Sequence, residues 1–414
     1  MAENKSSRYW SPNRTYEFEL KIGKVDLTPD LYSVSIITSI DAPYQTFILK
    51  IFADPNDIIL EKIYGQTPLK LTSRLYGTAP SIPMEQIQFE LMYLSSDMPL
   101  QVSVPSPQNI QKDRQPITIV CVSRKAFATM NWLVNYVYHN MTLTATINDL
   151  ISKTQATSKI DTQGANKEKI DQILIPSSTL YKNLKYLNRT FGIYDGMAAI
   201  FCTHDNKVCV KNLTAKMTSS SKFVIYQLPL GADNTKIIDK CTDGKNFYTT
   251  KNFTTTYKGN SAFAFMAPNI RHIVKPKDRL FYTIDTNLQD LSKEYGLISK
   301  GNKIFFDQEA MPITSRVSIH KDHTGYELSE SFIKAKYARR VSAITEISIE
   351  IENSMRILNL MEVGEAVKLD TKIDSTKDFT GMYILRASHL TFLRQKEWGS
   401  SAMLHLMRTN RTLT

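Results

Sequence analysis

From Ser33 to Ile40 the chain alternates. Val34, Ile36 and Ile40 fall on one side and Ser33, Ser35 and Ser39 on the other, the period of two of a strand with one buried face. The turn DAPY (Asp41 to Tyr44) returns the chain as a second strand, YQTFILKIF. Asp54 and Pro55 have the chemistry of an N-cap and a first helical residue, so DPNDIILEKI is expected to be a short helix. Further strands are expected in PLKLTSRL, QIQFELMYL and PITIVCV, with a proline-rich polar loop over 97–115 before the last of them. About five antiparallel strands and one short helix make a small barrel or sandwich, not a parallel nucleotide-binding sheet.

The pattern changes after Lys125. AFATMNWLVNYVYH (Ala126 to His139) carries apolar residues on more than one face, which predicts a helix packed inside, and a second helix is expected to start near Thr144. Thr157 to Lys169 is polar and reads as an exposed loop. In IPSSTLYKNLKYLNRTFG, Leu180, Leu184, Leu187 and Phe191 fall at i, i+4, i+7 and i+11, one stripe of a helix. Ser177 or Ser178 can cap its start, and Gly192 can end it in a left-handed turn. A hairpin with HDNK at its tip follows, so 126–215 is expected to be a compact α/β insertion.

Strand-like pieces (KFVIYQLPL, NFYTTKNFTTTY, RLFYTIDT) alternate with loops over 216–310, and QDLSKEYG has the look of a helical turn. SESFIKAKYARRVSA (Ser329 to Ala343) is expected to be a helix. TEISIEIEN then alternates without a break, Ile347, Ile349 and Ile351 against Glu346, Ser348, Glu350 and Glu352. AVKLDTKI does the same, with Val367, Leu369, Thr371 and Ile373 opposing Lys368, Asp370 and Lys372. GMYILRASHLTFL and SSAMLHLMR supply two more strands. The expected fold class is therefore α+β, mainly β: a first antiparallel barrel over 1–125, an insertion over 126–215, connecting strands over 216–310, and a second barrel over 311–414.

Composition changes this picture little. With 42% hydrophobic and 22% charged residues, the chain has the make-up of a globular protein, and it has no apolar run of membrane-spanning length. The N-terminus lacks the apolar centre of a secretory leader, which suggests folding in a cytoplasm. Four cysteines (Cys121, Cys202, Cys209, Cys241) are too few for a disulfide framework and lack the spacing of a zinc site, so they are read as reduced core residues. The net charge of +11 raises nucleic-acid binding, but the charges are scattered, and the densest run, KAKYARR (Lys334 to Arg340), equally suits a solvated helix face.

Reactive constellations are missing from the sequence. It has no phosphate-cradling GxxxxGK[ST] or GxGxxG loop, no GxSxG elbow and no HExxH helix. His320 and His323 in IHKDHTG have a spacing a metal tolerates, yet read better as a polar loop. Paired carboxylates of the kind a cell-wall hydrolase uses have no sequence signature. Neither a catalytic residue, a cofactor nor a metal is expected; the chain reads as a part of an assembly.

Its C-terminal segment, NLMEVGEAVKLDTKI and then GMYILRASHLTFLRQKEWGSSAMLHLMRTNRTL, resembles the end of baseplate hub proteins of contractile-tail bacteriophages. Glu362-Val363-Gly364 matches the residue pair before a glycine that opens a strand in that family, and ILIPSSTLYKNLKYLNRTFGIYDGMAAIF matches its helix before a hairpin. The resemblance implies two tail-tube-like barrels per chain and a structural, non-enzymatic virion protein of the tail baseplate, assembled in the host cytoplasm. It implies a homotrimeric ring of pseudo-six-fold symmetry joining the tail tube protein to the central spike protein. Other baseplate proteins and the tape-measure protein are further partners, with no membrane, and DNA only passes through the ring. Hubs of bacterial contractile injection systems share the fold, and a virion-associated cell-wall hydrolase is the competing reading. Because the chain stops at Thr414 after its last expected strand, a hub without a fused spike is expected. Ring closure would use strand edges, which makes Ile36, Thr38, Phe47, Leu49, Val367, Leu369, Leu404 and Leu406 the candidate subunit-interface residues.

Overall fold

A computed structural model describes residues 15–53, 67–76, 83–97, 115–194, 197–217, 219–229, 247–256, 270–274, 283–286, 345–352 and 357–408. The first part is all strand: β1 (Thr15–Ile22), β2 (Val25–Asp26), β3 (Leu31–Ser39), β4 (Thr46–Ala53), β5 (Leu69–Tyr76), β6 (Pro83–Asp97) and β7 (Gln115–Ser123). The insertion contains α1 (Arg124–Met130), β8 (Leu133–Thr142), α2 (Leu143–Ser152), β9 (Thr157–Ile160), β10 (Lys169–Thr179), α3 (Leu180–Phe191), β11 (Ala198–Cys202), β12 (Lys207–Asn212) and α4 (Leu213–Met217). The remainder is β13 (Phe223–Gln227), β14 (Phe247–Thr250), β15 (Phe253–Thr256), β16 (Ile270–Val274), β17 (Thr283–Thr286), β18 (Thr345–Glu352), β19 (Ala366–Thr371), β20 (Gly381–Arg394) and β21 (Trp398–Arg408). The fold is mainly β, as the alternating segments predict. The expected helices at 54–63 and 329–343, the turn QDLSKEYG and the His320/His323 loop lie outside the described residues.

Strand order shows how the barrels are built. β1, β5, β6, β7, β4, β3, β20 and β21 pair in that order, and β21 returns to β1 through Tyr16 opposite Trp398. The first barrel is thus closed by the last two strands of the chain. An aromatic cluster seals the closure, with Phe18 centred 4.7 Å from Phe392 and 4.9 Å from Trp398, and Tyr16 5.0 Å from Phe392. β20 and β21, which fall within the span 311–414 expected for the second barrel, thus also pair with strands of the first.

Length makes that sharing possible. β20 has 14 residues, roughly 45 Å at the usual rise per residue. Its start, Gly381 to Ile384, pairs with β19, while Ala387 to Leu393 pairs with β3. Between them Arg386 is a bulge, the extra residue between the pairs Leu385–Leu406 and Ala387–His405. β21 likewise pairs with β18 over Ser401 to Arg408. In the second barrel β13 lies between β19 and β14, parallel to both, an exception to the antiparallel pairing around it. β15 pairs with β18 at the other end of the sheet. Only Lys251 and Asn252 separate β14 from β15, so the chain bends from one end of the sheet to the other. Thr250 Oγ1 there donates to the Glu350 carbonyl at 2.9 Å.

The insertion has its own core. Leu180, Leu184, Leu187 and Phe191 of α3 are buried against Ile147 and Leu150 of α2 and against Ile173 and Ile175 of β10. Each such side chain contributes about 1.5–3 kcal/mol on burial. The stripe is the expected one, but Thr179 makes the cap, its hydroxyl accepting from the Lys182 amide. Gly192 ends the helix at φ +69°. Residues 126–139 differ from the expected buried helix: α1 stops at Met130, and the chain continues as β8. LVNYVYHNMT is rich in β-branched and aromatic residues, and Val134 and Tyr138 alternate into the core as a strand requires. Part of the expected loop after Thr157 is also strand, β9 lying parallel to β12.

Candidate functional site

The eight residues expected at subunit edges lie in the interior of the single chain. Ile36, Phe47, Leu49, Val367, Leu369, Leu404 and Leu406 are fully buried in the chain's own barrel core, and Thr38 is buried with them. Their strands are paired on both sides, β3 by β20 and β4, β4 by β3 and β7, β19 by β13 and β20, and β21 by β18 and β20. Alternation identified the buried face correctly, but barrel closure occupies the edges within one chain.

Charge gathers instead where insertion and barrels meet. Lys211 sits on β12 in KVCVKN, and its side chain retains 1% of its exposure. Its ammonium donates to the Val363 carbonyl at 3.0 Å and to Glu365 Oε1 at 2.5 Å, and lies 3.9 Å from Glu362. Lys159 of β9 reaches Glu362 at 2.9 Å, and Lys222 bonds the other oxygen of that carboxylate. Lys216 of α4 stands 3.7 Å from both Glu365 and Asp161. Partial burial pushes the Glu362 carboxyl up, but hydrogen bonds from Lys222 and Lys159 and the charges of Lys222 and Lys211 outweigh it and bring it down to about 2.

The turn at Gly364 makes this arrangement fit. Gly364 has φ +76°, and a Cβ there would stand 3.0 Å from Lys211 Cδ, 3.5 Å from Leu213 and 3.7 Å from Ile40. Its amide donates to the Leu385 carbonyl at 2.7 Å, and the Leu385 amide returns a bond to Glu365 at 3.0 Å. One residue on, the bulged Arg386 accepts from the Ile40 amide, donates to Asp41 at 2.9 Å and pairs with Glu346. The Glu362-Val363-Gly364 turn is thus where the insertion, both barrels and the shared hairpin converge. The sequence signal was present in a lysine among apolar neighbours and in two acids flanking a glycine, but nothing in the sequence pairs them across about 150 residues.

Thiols and histidines take bland roles. Cys202 and Cys209 do not face each other: Cys202 packs into the insertion core and Cys209 into the barrel core. Both are free, as is Cys121, and burial pushes the Cys121 thiol up to about 12 and Cys209 to about 11. His204, at the hairpin tip, packs its ring at a tilt against Phe89 of the first barrel, the centroids 4.9 Å apart. Among the described residues no three His, Cys, Asp or Glu side chains gather as a metal site would need.

One surface stands out. The two-stranded sheet β8/β10 covers the insertion core with one face and exposes apolar side chains on the other. Leu133 is 70% exposed, Val137 48% and Leu174 47%, with Trp132 at 53% just before β8. Val137 and Leu174 are direct cross-strand partners. Among the described residues β8 and β10 pair only with each other. The sequence reading missed this surface because it took Ala126 to His139 for a helix.

Residues 102–251 match the family model described as Bacteriophage PBS1 gene 109 protein, a span that takes in the whole insertion. No curated protein matches the chain. Among solved structures it is similar to the prophage MuSo2 43 kDa tail protein from Shewanella oneidensis. Identity is 12% and the TM-score 0.53, over 95% of this chain and 97% of that one. It is also similar to a tail protein from Neisseria meningitidis MC58, at 9% identity and TM-score 0.49 over 95% and 96%. The E. coli c3393 protein, a component of the type VI secretion system, aligns at 9% identity and TM-score 0.46 over 94% of this chain and 76% of that one. With such coverage the MuSo2 likeness extends over both barrels and the insertion, so the chain has a phage tail-protein fold, the fold class to which the Gly364 turn and the α3 segment already pointed.

Proposed function

We propose that this protein is a structural hub of a contractile tail, in which three copies form a ring of pseudo-six-fold symmetry joining the tail tube to the central spike. The observation that carries the reading is the joining of two barrel units through β20 and β21, the first of them closed by β21 pairing with β1. Because each chain carries two barrel units joined through a shared hairpin, three chains would present six around one axis while keeping three-fold symmetry toward the spike. The MuSo2 likeness supports the same reading by its fold.

The proposed partners are a second and third copy, the tube and spike proteins, and other baseplate and tape-measure proteins. DNA meets the protein only as it passes through the ring, and the protein resides in the virion without catalysing a reaction. The hub of a bacterial contractile injection system would use the same geometry. Because β3, β4, β19 and β21 are paired on both sides within the chain, ring contacts would draw on surfaces other than those strand edges.

Multi-angle light scattering and negative-stain electron microscopy of the purified protein test the proposal. A three-fold ring with six lobes is expected. A monomer at micromolar concentration or a closed two-fold dimer would refute it, because neither presents six barrels to a six-fold tube.

A further inference from the structure

The β8/β10 sheet is unlike the rest of the surface. β8 carries no Lys, Arg, Asp or Glu, and the only charged residues of β10, Lys169 and Asp171, alternate onto the face opposite Leu174, in a chain with 22% charged residues. Strands left open at an edge are ordinarily blunted by charge, most often lysine. Here β8 carries neither charge nor proline, and its outer face shows Leu133, Asn135 and Val137, all exposed. The sheet is held rigidly from behind. Asn183 of α3, fully buried, donates to the carbonyls of Pro176 at 3.0 Å and Ser178 at 3.1 Å, which fixes the bulge in β10 between Ile175 and Ser178. A firm, uncharged apolar platform is built to be covered.

What covers it follows from charge and area. A nucleic acid or an anionic lipid surface would be met by Lys and Arg, and this face has none. Each copy of the chain carries +11, so two copies repel wherever cationic surfaces meet and approach most easily through a neutral one. The exposed parts of Trp132, Leu133, Val137 and Leu174 amount to on the order of 400 Å², within the range for the largest patch on a monomer. That falls short of the roughly 800 Å² per partner of a self-sufficient interface. Such a face serves as one contact among several in a closed assembly. We propose that the outer face of the β8/β10 sheet packs against a neighbouring copy of the same chain, forming part of the subunit interface. The inference rests on the ring reading above.

Sedimentation velocity of the full chain tests it with three variants. Val137→Lys/Leu174→Lys places two cations on the face, Asn135→Lys adds one at an exposed polar position where folding is not at stake, and Leu393→Lys is a comparison at a 49% exposed apolar residue of the first barrel. The wild type and Leu393→Lys are expected to sediment as trimers. Both face variants are expected to need at least tenfold higher concentration to associate, with unchanged circular dichroism. Trimers persisting in both face variants overturn the inference and leave the ring standing. A monomeric wild type overturns the ring and the inference together, and dissociation by Leu393→Lys to the same degree overturns the assignment to this face.

Discussion

Lys211 and its carboxylates should show a sharp asymmetry on mutation. The Lys211 side chain is 1% exposed, whereas Glu365 keeps 17% and Glu362 34%. In Glu365→Leu the buried ammonium keeps only the Val363 carbonyl at 3.0 Å and a carboxylate 3.9 Å away. An uncompensated buried charge of this kind costs about 3–5 kcal/mol. In Lys211→Met the stem is replaced by one of similar volume, and the charges left behind are carboxylates with access to water. Lys216 still stands 3.7 Å from Glu365, and Lys159 2.9 Å from Glu362. The cost should be about 1–2 kcal/mol. The double variant should resemble Lys211→Met, so the cycle should return a coupling of about 3–5 kcal/mol, the whole cost of Glu365→Leu. Urea unfolding read by tryptophan fluorescence gives the totals. Hydrogen exchange over 207–212 and 361–366 shows whether the loss begins at this junction. Lys211→Met costing as much as Glu365→Leu would refute the reasoning, because the ordering depends on which charge is the most deeply buried.

Four further outcomes follow from named contacts. Gly364→Ala should cost about 1–2 kcal/mol from positive φ alone, with a further loss as Lys211 is displaced, read as a lowered urea midpoint. Leu369→Asp should abolish soluble expression, since it adds a buried charge to a cavity cost of about 2–5 kcal/mol, while Lys368→Ser on the exposed face should express normally; equal tolerance would show the register to be wrong. The Glu362 carboxyl lies lower in the folded protein than unfolded, so its contribution is complete above about pH 4.5 and fades as pH falls toward 2. After discounting for solvent screening this is about 1–2 kcal/mol, so wild type and Glu362→Gln should differ in urea midpoint at pH 6 and converge as pH falls to about 2 and below. Cys121, Cys202 and Cys209 should resist a thiol reagent at pH 8 until the chain is unfolded, as mass spectrometry of the labelled peptides would show.

Local periodicity determined much of this protein. Strands such as TEISIEIEN and AVKLDTKI, the stripe of α3 and the stop at Gly192 follow from side-chain spacing, because a strand or helix with one buried face must repeat at its own period. The same pattern misled at Ala126 to His139, where apolar residues on two faces meant a strand with a core face and an exposed apolar face. Periodicity reports which positions are apolar, not what covers them.

Partnership was decided only by the tertiary structure. Nothing in GMYILRASHLTFL states that its first residues pair with β19 and its last with β3, or that the final two strands close a barrel begun nearly 400 residues earlier. Nor does the sequence join Lys211 to Glu365, or show that Ile36 and Leu404 are covered within one chain. Alternation fixes the face a side chain takes, since that depends on its neighbours in sequence. The edge a strand offers depends on which distant segment reaches it first, and that is settled by the closing of the whole sheet.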